Sequence, residues 1–264
     1  MHARRYMWTL LTGACASSAV APEPAEPPSP AAPPSAVAPS PIATKRSHPE
    51  PGPEPPATAS TDAPPPAPPP GPCPEDMVDV GVACIDRYEA PNEKGKKPLL
   101  MQSALDGEAW CAERGKRLCL EAEWNRACMG KRGYDFPYGP KWDRGVCNDD
   151  KTWMPPRWSA IRSHPSEASK KEAARLDQSE PAGARDGCVS PDGVFDLTGN
   201  AAEWVVRTED NDTNHDHVVK GCYWARCFRP PHTPSCDYVN WMHQGAERSY
   251  EMGFRCCKDR DAAQ

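Results

Sequence analysis

Cysteine is the residue type that offers this chain the most chemistry. The 264 residues include 13 cysteines, and 12 of them lie at or beyond Cys73. Thiolates bind soft metals, whereas paired cysteines form disulfides in oxidising compartments. Zinc and iron–sulfur sites usually use C-x2-C pairs, but none occurs here, and Cys256 and Cys257 are adjacent. The spacing therefore favours a disulfide framework, with each bond contributing about 2–4 kcal/mol to stability.

Histidine supplies a second candidate metal site. One residue separates His215 from His217, and alternate residues of a strand lie on the same face. The pair could bind a metal ion, although histidines of surface loops that bind no metal are commoner. No G-x-S-x-G elbow occurs, so the sequence gives no specific sign of a serine hydrolase.

The charge pattern argues against nucleic acid as a partner. The formal net charge is −6 at pH 7, and acidic and basic residues are mixed along the domain without a basic block. No apolar run reaches the length of about 18 residues that a membrane-spanning helix requires.

The first 72 residues predict an export signal and a tether. Residues 1–20 contain two arginines, a short apolar run and Gly-Ala-Cys, which is typical of a bacterial lipoprotein signal with a lipidated Cys15. An ordinary signal peptide or a misassigned start is the alternative. Residues 21–72 contain 21 prolines, which predicts an extended, disordered Pro/Ala-rich linker. We therefore expect an exported protein that is lipid-anchored to the bacterial cell envelope, at the outer membrane or in the periplasm, with its folded domain over residues 73–264.

The strands that position the candidate residues are predicted to be short. Alternating apolar residues indicate strands within 77–92, with a bend at Gly81. Further short strands are predicted over 202–208, 217–224 and 252–258.

Two helices are predicted near the start of the domain. Ser103 and Asp106 form a capping pattern at the beginning of a helix within 103–118, and Gly115 is expected to stop it. A second helix covers 120–130 and ends at Gly130.

Residues 131–194 show little helical or strand periodicity. They are rich in Pro, Gly, Asp and Trp, which indicates mostly ordered loop. Two helices, short strands and long loops predict an α+β domain that depends on disulfides for stability.

Six short stretches occur in a specific order along this domain: CIDRYEAPN (84–92), AWCAERGKRLCLEAEWNRACMG (109–130), FPYG (136–139), GVFDLTGNAAEW (193–204), VVKGCYW (218–224) and GFRCC (253–257). Together they resemble the formylglycine-generating enzyme, or sulfatase-modifying-factor, domain family over residues 77–258. The resemblance implies a loop-rich, C-type-lectin-like α+β fold.

The resemblance also implies a structural Ca²⁺. Asn200 and Glu203 match the Asn and Glu of the G-N-x-x-E-W motif, which hold this ion in the family. Amide and carboxylate oxygens are the ligands that a hard cation prefers. The alternative is a hydrogen-bonded turn without an ion. Trp204, the last residue of the motif, is expected to anchor the core.

Two disulfides are implied by the same resemblance. One joins Cys111 to Cys256. The other joins Cys128 to Cys227 or to Cys236. Two further pairs are then expected: Cys222 with Cys236, if Cys227 is taken, and Cys147 with Cys188.

The resemblance leaves catalysis open. Active members oxidise a sulfatase cysteine to formylglycine with O2, using two cysteines that have four residues between them and hold Cu(I). Here Cys222 stands at the position of a serine in the family's G-G-S turn, and Ala225 and Pro230 stand where the two thiols are expected. Cys222 and Cys227 have the required spacing but lie about three residues too early. They are either a displaced copper site or structural cystines.

Two functions remain open from sequence. The first is a binding or structural module that lacks the standard copper thiol pair and takes a protein, peptide or glycan. The second is an oxidase that uses Cys222 and Cys227. The long segment 231–251 is expected to reshape the region where a substrate would bind. Exposed aromatic residues could supply contacts to a ligand: Trp142, Trp153, Trp158 and Trp241.

Overall fold

The computed structural model describes residues 72–210, 213–228 and 232–261. The predicted lipidation site Cys15 and nearly all of the linker predicted for residues 21–72 lie outside the described residues. Within the described part of the chain, no helix combines the length and the apolar character needed to cross a bilayer.

The first sheet contains four short strands from the two ends of the domain. They are β1 (Met77–Asp79), β2 (Cys84–Asp86), β3 (Arg117–Leu118) and β8 (Cys256–Lys258). The order is β1-β2-β8-β3, and all pairs are antiparallel. The last strand of the domain therefore lies between its second and third strands.

The second sheet contains β4 (Ala202–Val206), β5 (His217–Lys220), β6 (Val239–Asn240) and β7 (Met252–Phe254). The order is β6-β5-β4-β7, with β4 and β7 parallel and the other pairs antiparallel. Only Arg255 separates β7 from β8, so this residue lies where the chain passes from one sheet to the other.

Strand β4 lies between two apolar clusters. Its side chains alternate in direction, so that Trp204 joins the cluster around Trp224 and Phe254, while Val205 joins the cluster around Trp124. Trp204 is fully buried, and its indole N–H donates to the carbonyl of Gln102 at 3.0 Å. Burial on both faces explains why this strand has no alternation between apolar and polar residues.

Helix α1 (Ala104–Ala112) begins at the predicted cap. The Ser103 hydroxyl accepts from the Asp106 N–H at 3.1 Å, and an Asp106 carboxylate oxygen accepts from the Ser103 N–H at 2.8 Å. The helix ends at Ala112, shortly before Gly115, the residue predicted to stop it, which adopts a left-handed φ of 64° before the chain enters β3.

Helix α2 (Glu121–Met129) ends at Gly130, as its sequence predicts. Gly130 has a φ of 60°, and a Cβ atom there would lie 3.0 Å from the Pro191 ring. Glu123 caps the helix start by accepting from the Leu120 N–H at 2.9 Å, and Arg117 holds the same carboxylate.

Two helices interrupt the segment that was predicted to be mostly loop. They are α3 (Trp158–Ile161) and α4 (Glu167–Leu176). Ser166 caps α4 by accepting from the Ser169 N–H at 3.2 Å. Only Ser169, Glu172 and Leu176 of α4 are buried, so its pattern carries little apolar periodicity.

All twelve cysteines of the domain form disulfides: Cys73–Cys84, Cys111–Cys256, Cys119–Cys257, Cys128–Cys236, Cys147–Cys188 and Cys222–Cys227. The adjacent cysteines Cys256 and Cys257 bond in different directions, because neighbouring strand residues face opposite sides of β8. Cys256 faces α1 and its Cys111, whereas Cys257 reaches Cys119, just after β3.

The structure corrects one of the two alternatives for Cys128. This helix residue bonds Cys236, and the pairing of Cys128 with Cys227 does not form. Cys227 instead bonds Cys222, which also removes the expected pair of Cys222 with Cys236. The reason is local, since only five positions separate Cys222 from Cys227 and the intervening turn brings their Cα atoms within 5.2 Å.

Candidate functional site

The two cysteines with the spacing of a copper pair are bonded to each other. Cys222 follows β5 and Gly221, and it has a left-handed φ of 58°. Both sulfurs are buried beside Tyr238. Sulfurs joined in a disulfide supply no thiolate, so the arrangement in this structure does not fit Cu(I). Ala225, at the position expected for the first thiol, packs against the core, and Pro230 lies outside the described residues.

A groove of about 640 Å³ opens near this disulfide. Its volume lies in the range of about 300–1,000 Å³ that is common for ligand sites. Buried residues form its floor, including Ile161 from α3 and Met252 from β7. Exposed apolar side chains form its walls: Trp158, Phe228 and Met242.

The disulfide lies behind one wall of the groove. Phe228 follows Cys227 directly and stacks on Tyr223, the neighbour of Cys222, with ring centroids 6.0 Å apart. A small cavity of about 10 Å³ contacts Cys222 and shares Phe228 and other lining residues with the groove. The disulfide therefore fixes the loop that carries the Phe228 wall.

The groove has one buried acidic group, Glu251. Its carboxylate accepts a short hydrogen bond from the Ser249 hydroxyl. Burial raises the pKa of Glu251, and the hydrogen bond from Ser249 opposes this rise. Asn240 and Ser249 complete the polar part of the lining near Glu251.

Two buried tyrosines lie against Glu251. The hydroxyl oxygens of Tyr223 and Tyr250 are 3.2 Å apart. Burial, and then the charge of Glu251, raises the pKa of Tyr250 to about 12. Burial also raises the pKa of Tyr223. Both hydroxyls therefore stay protonated near neutral pH and act as hydrogen-bonding groups.

The Glu of the G-N-x-x-E-W motif holds a guanidinium group. Arg255 donates to Glu203 through Nε at 2.7 Å and through Nη2 at 2.6 Å, and the Trp124 indole N–H donates to the same carboxylate at 2.9 Å. All three side chains are fully buried. The Glu203 carboxylate is thus already neutralised by a side chain of the protein.

Both polar atoms of the Asn200 side chain, the Asn of the motif, also form hydrogen bonds within the protein. The Asn200 carbonyl oxygen accepts from the Glu180 N–H at 2.8 Å and from the Asn148 amide at 3.0 Å. The Asn200 amide nitrogen donates to Glu89 at 2.6 Å. Because donors surround the oxygens of both Asn200 and Glu203, this pair does not fit a Ca²⁺ site.

Two neighbouring oxygens fit a hard cation better. Asn148 Oδ1 and Asp149 Oδ1 are buried without a hydrogen-bond partner. Burial raises the pKa of Asp149 to about 6, because it penalises the charged form. An amide oxygen and a carboxylate oxygen on consecutive residues have the chemistry that Ca²⁺ prefers, and they lie beside Asn200.

The histidine pair is not organised around a metal. His217 Nε2 lies 2.9 Å from Glu108 Oε1, and a Cβ atom at Gly245 would meet the other side of its ring. The Nδ1 atom of His215 is buried without a partner. The described residues contain no group of three or more His, Cys, Asp or Glu side chains arranged for a metal ion.

The four tryptophans predicted to be ligand contacts differ in their positions. Trp158 lines the groove, and Arg226 lies 5.3 Å above the ring of Trp153. Trp142 is exposed but donates to Asp149, away from the groove lining. The prediction that Trp241 is exposed is wrong, because this side chain is partly buried against the second core cluster.

The sequence predicted Trp158 as a ligand contact and segment 231–251 as part of the binding region, but it singled out no other residue of the groove. Ile161, Phe228, Glu251 and Met252 come from separate parts of the chain, and no local pattern links them. A weak signal existed at Glu251, because a carboxylate directly precedes the apolar strand residues Met252–Phe254.

The fold and the site define a class of protein, namely loop-rich, disulfide-stapled α+β domains of the C-type-lectin-like kind. A family model described as "Sulfatase-modifying factor enzyme 1-like domain" matches residues 75–260, and the chain belongs to this family.

Similar proteins include both enzymes and inactive homologues. The chain is 26% identical to the formylglycine-generating enzyme of Bos taurus over 186 residues, which are 61% of this chain and 44% of that protein. It is 25% identical to the inactive C-alpha-formylglycine-generating enzyme 2 of Bos taurus over 166 residues, 62% of this chain and 51% of that one. The chain spans about half the length of these relatives, and the near-equal identities do not assign an activity.

Solved structures that resemble this chain are more distant in sequence. The crystal structure of CarF is 13% identical, covers 68% of this chain and 87% of its own, and has a TM-score of 0.48. PvdO from Pseudomonas aeruginosa is 18% identical, covers 67% of this chain and 80% of its own, and has a TM-score of 0.44.

Proposed function

We propose that this protein is a binding module, exported and lipid-anchored at the bacterial cell envelope, that takes a peptide segment of a partner protein into its groove. The observation that carries this proposal is the groove itself, with buried apolar residues below and Trp158 and Phe228 on its walls. The apolar floor and walls of the groove suit an apolar peptide side chain, and the polar and charged residues that also line it are available to the peptide backbone.

The test compares two tryptophans of equal exposure. Trp158 lines the groove and Trp142 does not, yet each exposes 44% of its surface. An array of random heptapeptides, probed with the full chain, identifies binding sequences for titration. Trp158→Ala should weaken binding at least about tenfold, the loss expected when an interface anchor is truncated, and Trp142→Ala should not. Equal losses in both variants, or an array without binders, would contradict the proposal.

A second candidate is a formylglycine-generating oxidase that uses Cys222 and Cys227. It is favoured by one observation, which is that their disulfide lies directly behind the groove wall. Thiol counting on the unfolded, unreduced chain separates the candidates. The binding module predicts no free thiol at Cys222 and Cys227, whereas the oxidase predicts two, with tight Cu(I) binding. The oxidase also predicts turnover of a peptide with the C-x-P-x-R sequence.

The export and the lipid anchor are proposed from the sequence of residues 1–20. Labelling cells with a radioactive fatty acid should mark the protein, and Cys15→Ala should abolish the label. A labelled Cys15→Ala variant would contradict this anchor without affecting the groove.

A further inference from the structure

We propose that the groove selects a ligand whose positive charge lies at the end of an apolar stem, with an ammonium or guanidinium group directed at Glu251. The inference rests on the proposed function, because it assumes that the groove binds a ligand. It adds the chemical class of that ligand, namely a basic side chain or an amine rather than a neutral or acidic group.

Among the described residues, most charges around the groove are paired, whereas Glu251 has no lysine or arginine partner. Glu247 lies 2.9 Å from His243, and Arg248 holds Asp106 through two contacts of 2.7 Å. Among the described residues, Glu251 receives the Ser249 hydroxyl but forms no ion pair with a lysine or an arginine. A buried carboxylate without a cationic partner is costly, so a ligand cation would recover part of this energy.

The walls above Glu251 are also suited to a cation. Trp158 and Phe228 line the groove and keep 44% and 38% of their surface exposed. The ring of Phe228 already carries a cation, since the Arg226 guanidinium lies 4.6 Å from its centroid. Aromatic faces attract ammonium and guanidinium groups, and their apolar edges pack against a methylene stem.

The groove mouth also contains basic side chains, which would attract an acidic ligand. Arg162 and His164 line the groove and are exposed to solvent. Their charge is screened by water, whereas the Glu251 carboxylate is buried and keeps most of its field. Because an acidic ligand could use Arg162, the experiment includes an acidic probe.

The test uses three probes with one carbon skeleton: phenylbutylamine, phenylbutanol and phenylbutyrate. Isothermal titration of the full chain should show that the amine binds at least about tenfold more tightly than the alcohol, since one pairing with a desolvated charge is worth about 1.4 kcal/mol or more. The butyrate should bind most weakly. In Glu251→Gln the amine should lose most of this advantage and keep only the part that the aromatic walls contribute.

The control is Glu113→Gln, which changes the net charge equally at an exposed position at the end of α1. It should keep the preference for the amine. Binding of the alcohol in Glu251→Gln shows that the variant is folded. Tightest binding by the butyrate, or an amine preference that is undiminished in Glu251→Gln, overturns the inference alone. Binding by none of the probes contradicts both the inference and the proposed groove function.

Discussion

Arg255 and Glu203 form a bidentate ion pair from which water is excluded, with N–O distances of 2.7 Å and 2.6 Å. Arg255 stands between β7 and β8, and Glu203 stands in the middle of β4, so the pair ties the two sheets together. Burial raises the pKa of Glu89 and of Asp196, and Arg255 is the cation that lowers both. One guanidinium therefore offsets three buried carboxyl groups.

Replacing this guanidinium should be highly destabilising. Arg255→Met leaves Glu203, Glu89 and Asp196 without their cation, and removing one partner of a buried pair costs about 3–5 kcal/mol. Urea unfolding with the disulfides intact measures the loss. The control is Arg144→Met, which breaks an exposed pair with Asp150 and should cost less than about 1 kcal/mol. Similar losses in the two variants would show that the pair is not a main support of the fold.

The sequence predicted those parts of the fold that depend on local chemistry. Ser103 and Asp106 predict the start of α1, and Gly130 predicts the end of α2. These predictions succeed because a helix cap is formed by residues within about four positions of each other. The two-residue strand β3 gave no signal, because it exists only by pairing with β8, which lies far away in the chain. Helix α4 was missed for a related reason, since the side chain that it buries most deeply is a charged one, Glu172.

The candidate site was less predictable than the fold. The sequence could identify Cys222 and Cys227 by their spacing, but their oxidation depends on the turn that brings them together. It placed a cation at Glu203, because the competing cation, Arg255, is 52 residues away. Glu251 was missed because its significance comes from groove residues that the sequence does not connect.

Calcium should stabilise the fold through Asn148 and Asp149 rather than through Glu203. A ligand that binds only the folded state raises the unfolding temperature with its concentration. Millimolar Ca²⁺ should therefore raise the melting temperature of the full chain relative to EGTA. Asp149→Asn should lose this response, whereas Asp150→Asn, at the next position, should keep it. A response in all three proteins, or in none, would contradict a site at Asp149.

In EGTA, without bound calcium, Asp149→Asn should not be less stable than the original chain. Because burial raises the pKa of Asp149 to about 6 from 3.8, the folded state binds the proton more tightly than the unfolded state. The ionised carboxylate therefore lowers the stability of the fold as the pH rises through this window. Without calcium, Asp149→Asn should be at least as stable as the original chain at neutral pH, as measured by thermal unfolding at several pH values.

The disulfides should differ in their contribution to stability. Cys147–Cys188 spans 41 residues and no other disulfide of the described domain shortens that loop, whereas Cys222–Cys227 spans five. A cross-link restricts the unfolded chain more when its loop is longer, which predicts losses of about 4 kcal/mol and about 2 kcal/mol respectively. Urea unfolding of the Cys147→Ala/Cys188→Ala and Cys222→Ala/Cys227→Ala variants measures both. The reverse order would indicate that Cys222–Cys227 stabilises the folded turn itself.

Lys220 should make the stability depend on pH in the alkaline range. Its ammonium group is buried. The Lys220 Nζ atom lies 5.6 Å from the centroid of the Trp124 ring and 4.0 Å from a Glu121 carboxylate oxygen. Burial lowers the pKa of Lys220 from 10.5 to about 8, and Glu121 opposes this effect. Between these values the unfolded lysine carries a proton that the folded one lacks, so unfolding takes up a proton. The contribution of Lys220 to stability is therefore lost as the pH falls through this window, and it stays constant below about pH 8.

Lys220→Met removes this proton uptake. The pH dependence of the free energy of unfolding should decrease by about 2–3 kcal/mol between about pH 7 and about pH 10, since one pKa unit corresponds to about 1.4 kcal/mol. Urea unfolding at the two pH values measures the difference. Lys94→Met, at an exposed position, provides the control and should keep the original dependence. If Lys220→Met retains it as well, the ammonium group must reach water or a closer counter-ion in the folded protein, and burial does not control its protonation.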